Sequence, residues 1–198
     1  MRNLISLCHD LVQFFHTIHW NTSIYLLSLC YYGAWFLCVG LAAQGWPWMA
    51  MCSHLVFGLL ILLHIKPRLR KIILYYAWGA AVLGWVIDHM LWWSEVLIFP
   101  AHTLCWGMTP LWMSSLWFTL MILLLGPFQR VIKHKFSAIL LGSIGGPLSY
   151  ISGSHSSAMG LGVSHIYVAF ILAMIWGMIM YLMYELKESL ARSHEIAS

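Results

Sequence analysis

Charge is what this chain has least of. Only 8% of its 198 residues are Asp, Glu, Lys or Arg, against about 25% in an ordinary soluble domain. A soluble protein of this length needs a charged surface to stay dispersed, so a soluble globular domain is excluded. A disordered chain is excluded as well, because 62% of the residues are hydrophobic and disorder requires the opposite balance. The signatures of familiar chemistry are also missing. The five cysteines form no C-x-x-C pair, and the chain has no phosphate-binding loop, no dinucleotide fingerprint, no G-x-S-x-G and no H-E-x-x-H. Buried free thiols are the default reading of such cysteines. No cofactor is assigned and no metal is expected: of His54, His89, His102, His155 and His165, no two fall at i, i+3 or i+4 on one helix.

Apolar length is what the chain has in abundance. A hydrocarbon core of about 30 Å needs roughly 20 mostly apolar residues as helix. Six segments qualify, at about 23–43, 48–65, 72–99, 111–128, 136–154 and 161–184. They are separated by Gln44-Gly45-Trp46-Pro47, by Lys66-Pro67, by Pro100 and by Pro110. The expected fold is an all-α membrane protein with six transmembrane helices. With six spans, all ten Lys and Arg fall on one face, which makes that face and both termini cytoplasmic. The formal charge of +4 therefore reports orientation, and no nucleic-acid partner is expected. Trp46, Trp48, Trp106 and Trp112 map to outer ends, where aromatic belts belong. Trp85 and Trp117 map deeper, between helices.

Residues 1–20 differ from the rest. Leu4, Leu7, Leu11, Phe14, Phe15 and Ile18 alternate with polar residues at helical spacing. The pattern fits an amphipathic helix lying on the cytoplasmic surface; an extension of the first span is the other reading. The organisation expected is thus an N-terminal helix over 1–20, a six-helix domain over 21–184 and a cytoplasmic tail over 185–198.

Polar groups in lipid are costly and each asks for a reason. Asp88 lies about 24 Å of helix beyond residue 72, in the outer half of the third span. Glu95 is seven residues further on, so the two share a helical face with Trp92 between them. An acid at that depth should face the bundle interior and find a partner, and it suits proton exchange. The fifth span carries Gly142, Gly145, Gly146 and Pro147. Gly142 and Gly146 form a small-xxx-small pair that permits close helix contact, and Pro147 predicts a kink. Tyr150, Ser154 and His155 continue outward to the depth of Asp88. Asp88, Glu95, Tyr150, Ser154 and His155 are the candidate substrate or proton site; no catalytic residue is assigned.

The run Gly84-Trp85-Val86-Ile87-Asp88, then Ile98-Phe99-Pro100, Pro110-Leu111-Trp112, Trp117-Phe118 and Gly142-Ser143-Ile144-Gly145-Gly146-Pro147-Leu148-Ser149-Tyr150 with Gly153 resembles a bacterial inner-membrane family. That family is catalogued as domain of unknown function 2878. The resemblance covers residue 31 to about 173. It implies a multi-pass inner-membrane location and no established activity. The chain departs from the family pattern at Tyr32, where a Gln is usual, and in its additional N-terminal helix. Three functions are expected from the whole. The first is handling or transport of a lipid or other small molecule at the polar site on spans three and five. The second is a structural or assembly subunit. The third is a membrane-embedded enzyme on lipid or isoprenoid substrates, with Asp88 or Glu95 as acid or base and His155 or His165 as partner. The expected partners are membrane lipids, with a second copy or another membrane protein left open.

Overall fold

The computed structural model describes residues 21–195. The helix expected over 1–20 lies outside the described residues. Within them the chain forms six α-helices: α1 (Asn21–Ala43), α2 (Pro47–Leu63), α3 (Pro67–Trp93), α4 (Leu111–Leu125), α5 (Lys135–His155) and α6 (His165–Glu195). Proline marks three starts. Pro47 and Pro67 open α2 and α3, and Pro110 immediately precedes α4. A proline's missing N–H is harmless in the first turn, where no acceptor is available anyway.

The expected all-helical membrane class stands at a coarser level. Four helices, α1, α3, α5 and α6, are long and apolar enough to cross a membrane. The other two are apolar but shorter, 17 residues in α2 and 15 in α4. α4 is the innermost helix, packing against both α2 and α3, while α2 also packs on α1. Buried residues run all round α4, from Trp112 and Met113 through Trp117, Phe118 and Thr119 to Leu125. A helix apolar on every side belongs in the middle of a bundle. α5 and α6 form a separate, tightly apposed pair.

Several segment ends differ from the sequence reading: α3 starts five residues earlier, at Pro67, α4 stops at Leu125, and α6 runs on to Glu195, into the stretch read as a tail. The third was read to residue 99, but α3 stops at Trp93. Ser94 closes it by donating its hydroxyl to the Met90 carbonyl at 2.8 Å. Glu95 then takes a left-handed φ of 58°, which ends helical geometry. The sixth was read from residue 161, but α6 begins at His165. The residues released pair instead: Leu97–Ile98 (β1) and Gly160–Leu161 (β2) form a two-residue antiparallel clasp joining the α3 and α5 ends. Trp112 also corrects its expected place in an outer belt. Trp46, Trp48 and Trp106 are exposed, but Trp112 is fully buried, with its ring edge-on to Phe99.

The two basic connections lie at the same end of the bundle. The site where a Cβ would stand on Gly126, after α4, lies 3.1 Å from Ile65 in the α2–α3 connection. Lys187 on α6 donates to the Ile132 carbonyl in the α4–α5 connection. The opposite end holds the β1–β2 clasp and His102, which rests against Gly45 in the α1–α2 turn.

Candidate functional site

The site begins with two helices that are notched to receive a tryptophan. On α3, Gly84 and Asp88 are one turn apart and share a face. A Cβ on Gly84 would collide with the Trp117 ring of α4, so the glycine is what lets the indole lie flat on α3. Asp88 one turn on then accepts its N–H, with Trp117 Nε1 to Oδ2 at 3.0 Å. On α5, a Cβ on Gly146 would collide with the Trp176 ring of α6, and one on Gly142 with the Trp176 backbone. The two tryptophans stack on each other, centroids 4.3 Å apart and planes within 12°. The order Gly84, Trp117, Trp176, Gly146 therefore ties α3, α4, α6 and α5 together through two flat rings.

Asp88 is fully buried. Its second oxygen, Oδ1, accepts from the Tyr150 hydroxyl of α5 at 2.5 Å. Both oxygens are thus satisfied, as a buried carboxyl group requires. The carboxyl group also sets the orientation of two aromatic side chains from different helices. Bonds to a charged or strongly polar acceptor are the stronger class, so this is the polar anchor of the bundle.

In front of that anchor lies a cavity of about 410 Å³, bounded by α1, α4, α5 and α6. Its back wall is Trp117, Trp176 and Tyr150; Tyr31 and Trp35 of α1 face them. Its rim is formed by Tyr32 and Phe36 on α1 and by Leu141 and Leu148 on α5, all exposed. No charged side chain lines it; its polar atoms come from tyrosines, tryptophans, Ser28, Ser149 and Ser152. The volume is that of a small-molecule pocket, typically about 300–1,000 Å³.

The residues expected from the sequence are distributed unevenly about this site. Asp88 and Tyr150 meet directly, and Tyr150 lines the cavity while Asp88 stands behind it. Gly142, Gly145 and Gly146 line it too. Pro147 is buried inside a continuous α5 and is not part of the lining. Glu95 is not on the face of Asp88: the helix has ended, and the carboxylate is exposed at the bundle end. Ser154 turns back to bond the Ile151 carbonyl at 2.7 Å. His155 is exposed beside His165, ring centroids 5.8 Å apart. Neither histidine is a partner of Asp88 among the described residues. No cluster of three or more metal-ligating side chains occurs among the described residues.

Sequence reasoning assigned Trp117 only to packing and gave Trp176 no role. The Gly84–Asp88 spacing was the available signal, a gap and an acceptor one turn apart on a buried face. His54 was passed over as one of many histidines. It is fully buried between α1 and α4, flanked by Tyr31 and Phe57. Neither ring nitrogen completes a hydrogen bond of ordinary geometry, the Ala34 backbone offering only a marginal one.

A model of the family described as a protein of unknown function, DUF2878, matches residues 24–182. No curated protein and no solved structure matches the chain.

Proposed function

Because the chain belongs to the family of unknown function DUF2878, whose name carries no chemistry, we propose from the site's geometry that it is a multi-pass membrane protein that holds or moves a small amphipathic molecule. The observation that carries this reading is the cavity of about 410 Å³, walled by aromatic rings and open at its side between α1 and α5. Asp88 acts as a positioning residue. It pins Tyr150 and Trp117, so that the wall keeps its shape when the cavity is filled.

In this reading all six helices cross the inner membrane. α4, at about 22 Å, is shorter than the hydrocarbon core. A helix enclosed by protein has no lipid to match, so its length carries little mismatch cost. The end bearing the basic connections faces the cytoplasm by the positive-inside rule, which sets both termini there.

The test is lipid and small-molecule mass spectrometry of the purified protein and of Asp88→Ala and Asp88→Asn variants. A stoichiometric amphiphile is expected with the native chain, and also with Asp88→Asn, which keeps an acceptor for Trp117. It is expected to be lost from Asp88→Ala, whose aromatic wall is unpinned. Purification of the native chain with no bound small molecule, under conditions that preserve its fold, removes the reading.

A further inference from the structure

The cavity has a shape as well as a volume. Its lining runs over positions 141–152 of α5 and 113–124 of α4, about 16 Å along each helix at 1.5 Å per residue. A volume of about 410 Å³ spread over that length makes it an elongated groove. An extended hydrocarbon chain, its carbons about 4 Å from the wall atoms at van der Waals contact, can lie along it. The long axis follows the helices, so a lipid chain enters in the direction it already has in a bilayer. The open side between Phe36 and Leu148 admits it without leaving the apolar phase.

The two ends of the groove differ. Towards Tyr150 and Ser152 it is lined by hydroxyls and indoles and holds no cation. Towards the other end it reaches Phe128 and Val131, in the connection that carries Arg130 and Lys133. That end of the bundle carries Lys66, Arg68, Arg70, Lys71, Arg130, Lys133, Lys135 and Lys187 in sequence, against Glu185 and Glu188. Lys135 and Lys187 are paired with those two glutamates. Lys133 is exposed two residues beyond the groove's lining and makes no ion pair among the described residues. A cation beside the mouth of an apolar groove complements an anionic headgroup.

We infer that the occupant is an anionic lipid, one hydrocarbon chain along the groove and its headgroup at the α4–α5 connection beside Lys133. The inference rests on the reading that the groove holds an amphiphile, and it names which one. It requires no chemistry on the lipid.

The experiment is a native mass-spectrometric titration of the full chain in uncharged detergent with three probes. These are 1-oleoyl-lysophosphatidic acid, uncharged monooleoylglycerol, and two-chain dioleoyl phosphatidic acid. Lysophosphatidic acid and dioleoyl phosphatidic acid are both expected to bind more tightly than monooleoylglycerol, by about twofold to fivefold, the range of one exposed ion pair. A Cβ on Gly145 would meet nothing within 4 Å, and Gly145 lines the groove. Gly145→Leu therefore fills the groove from within and is expected to abolish binding of both single-chain probes. Leu141→Trp narrows it from the rim and reads the same occupancy if Gly145→Leu fails to fold. Lys133→Gln is expected to weaken lysophosphatidic acid about twofold to fivefold, the range of one exposed ion pair, and to leave monooleoylglycerol unchanged. Equal affinity for the charged and uncharged single-chain lipids, with the Gly145→Leu loss intact, overturns the headgroup assignment and leaves the groove reading standing. Binding of all three unaffected by Gly145→Leu and Leu141→Trp overturns both this inference and the reading it rests on.

Discussion

The two sides of α5 make opposite contacts with similar residues. Towards α6, Gly142 and Gly146 meet the Trp176 backbone and ring, and Ser143 donates to the Ala173 carbonyl at 3.1 Å. Gly177 of α6 faces Ser143 in turn. Small residues on both helices let the backbones approach, which is how helices associate where lipid supplies no hydrophobic driving force. Towards α1, Gly145 meets nothing, and the rim residues Leu141 and Leu148 stand exposed across the cavity from α1. The difference lies in the neighbour, not in α5. α6 offers a flat indole that fills a glycine notch, and α1 offers Tyr31, Tyr32, Trp35 and Phe36, rings with no notch to enter. A glycine in a membrane helix therefore marks either a seam or a space, and only the facing helix says which.

Adjacent glycines make that comparison breakable. Gly146→Leu drives a branched side chain into Trp176 and is expected to destabilise the fold by about 3 kcal/mol, the upper range for overpacking a filled site. Detergent-based equilibrium unfolding measures it; a variant as stable as the native chain means the seam is not closed. Asp88→Ala comes next. It leaves the Tyr150 hydroxyl and the Trp117 N–H buried without their acceptor, at about 1–3 kcal/mol for each orphaned group. Asp88→Asn should recover most of the loss, and equal melting temperatures for the two variants would contradict the anchor role. Gly145→Ala should act in the opposite direction from Gly146→Leu. With open space at its Cβ, it gains helix propensity, up to about 1 kcal/mol, visible as a raised melting temperature. Glu95→Gln is expected to change stability by less than about 0.5 kcal/mol, as exposed substitutions do. A larger effect would mean that the exposed carboxylate has a partner after all.

Parts of the site are legible in the sequence. Asp88 in an apolar run had to find a partner, and Tyr150 was one of three residues, with Ser154 and His155, read at its depth. The Gly142–Gly146 spacing pointed to close helix contact. Glu95 was misplaced because a seven-residue spacing holds a common face only while the helix lasts, and α3 ends at Trp93. Ser154 and His155 were grouped with Asp88 by depth alone. Depth says nothing about direction round a helix, and Ser154 in fact bonds within its own turn. Trp117 and Trp176 were hard to foresee as a pair because they lie on helices that the chain order does not make neighbours.

Composition and run length determined by themselves that this is a helical membrane protein, where most helices begin, and which of its residues needed a buried partner. Those properties follow from local propensity and from transfer of groups out of water, which each segment carries with it. The tertiary structure alone decided that Asp88 stands behind the cavity and not in it, that two tryptophans stack between glycine notches, and that an elongated groove remains beside α1. These depend on how side chains of four helices fill shared space, and packing of that kind is a property of the assembled bundle, absent from any one segment.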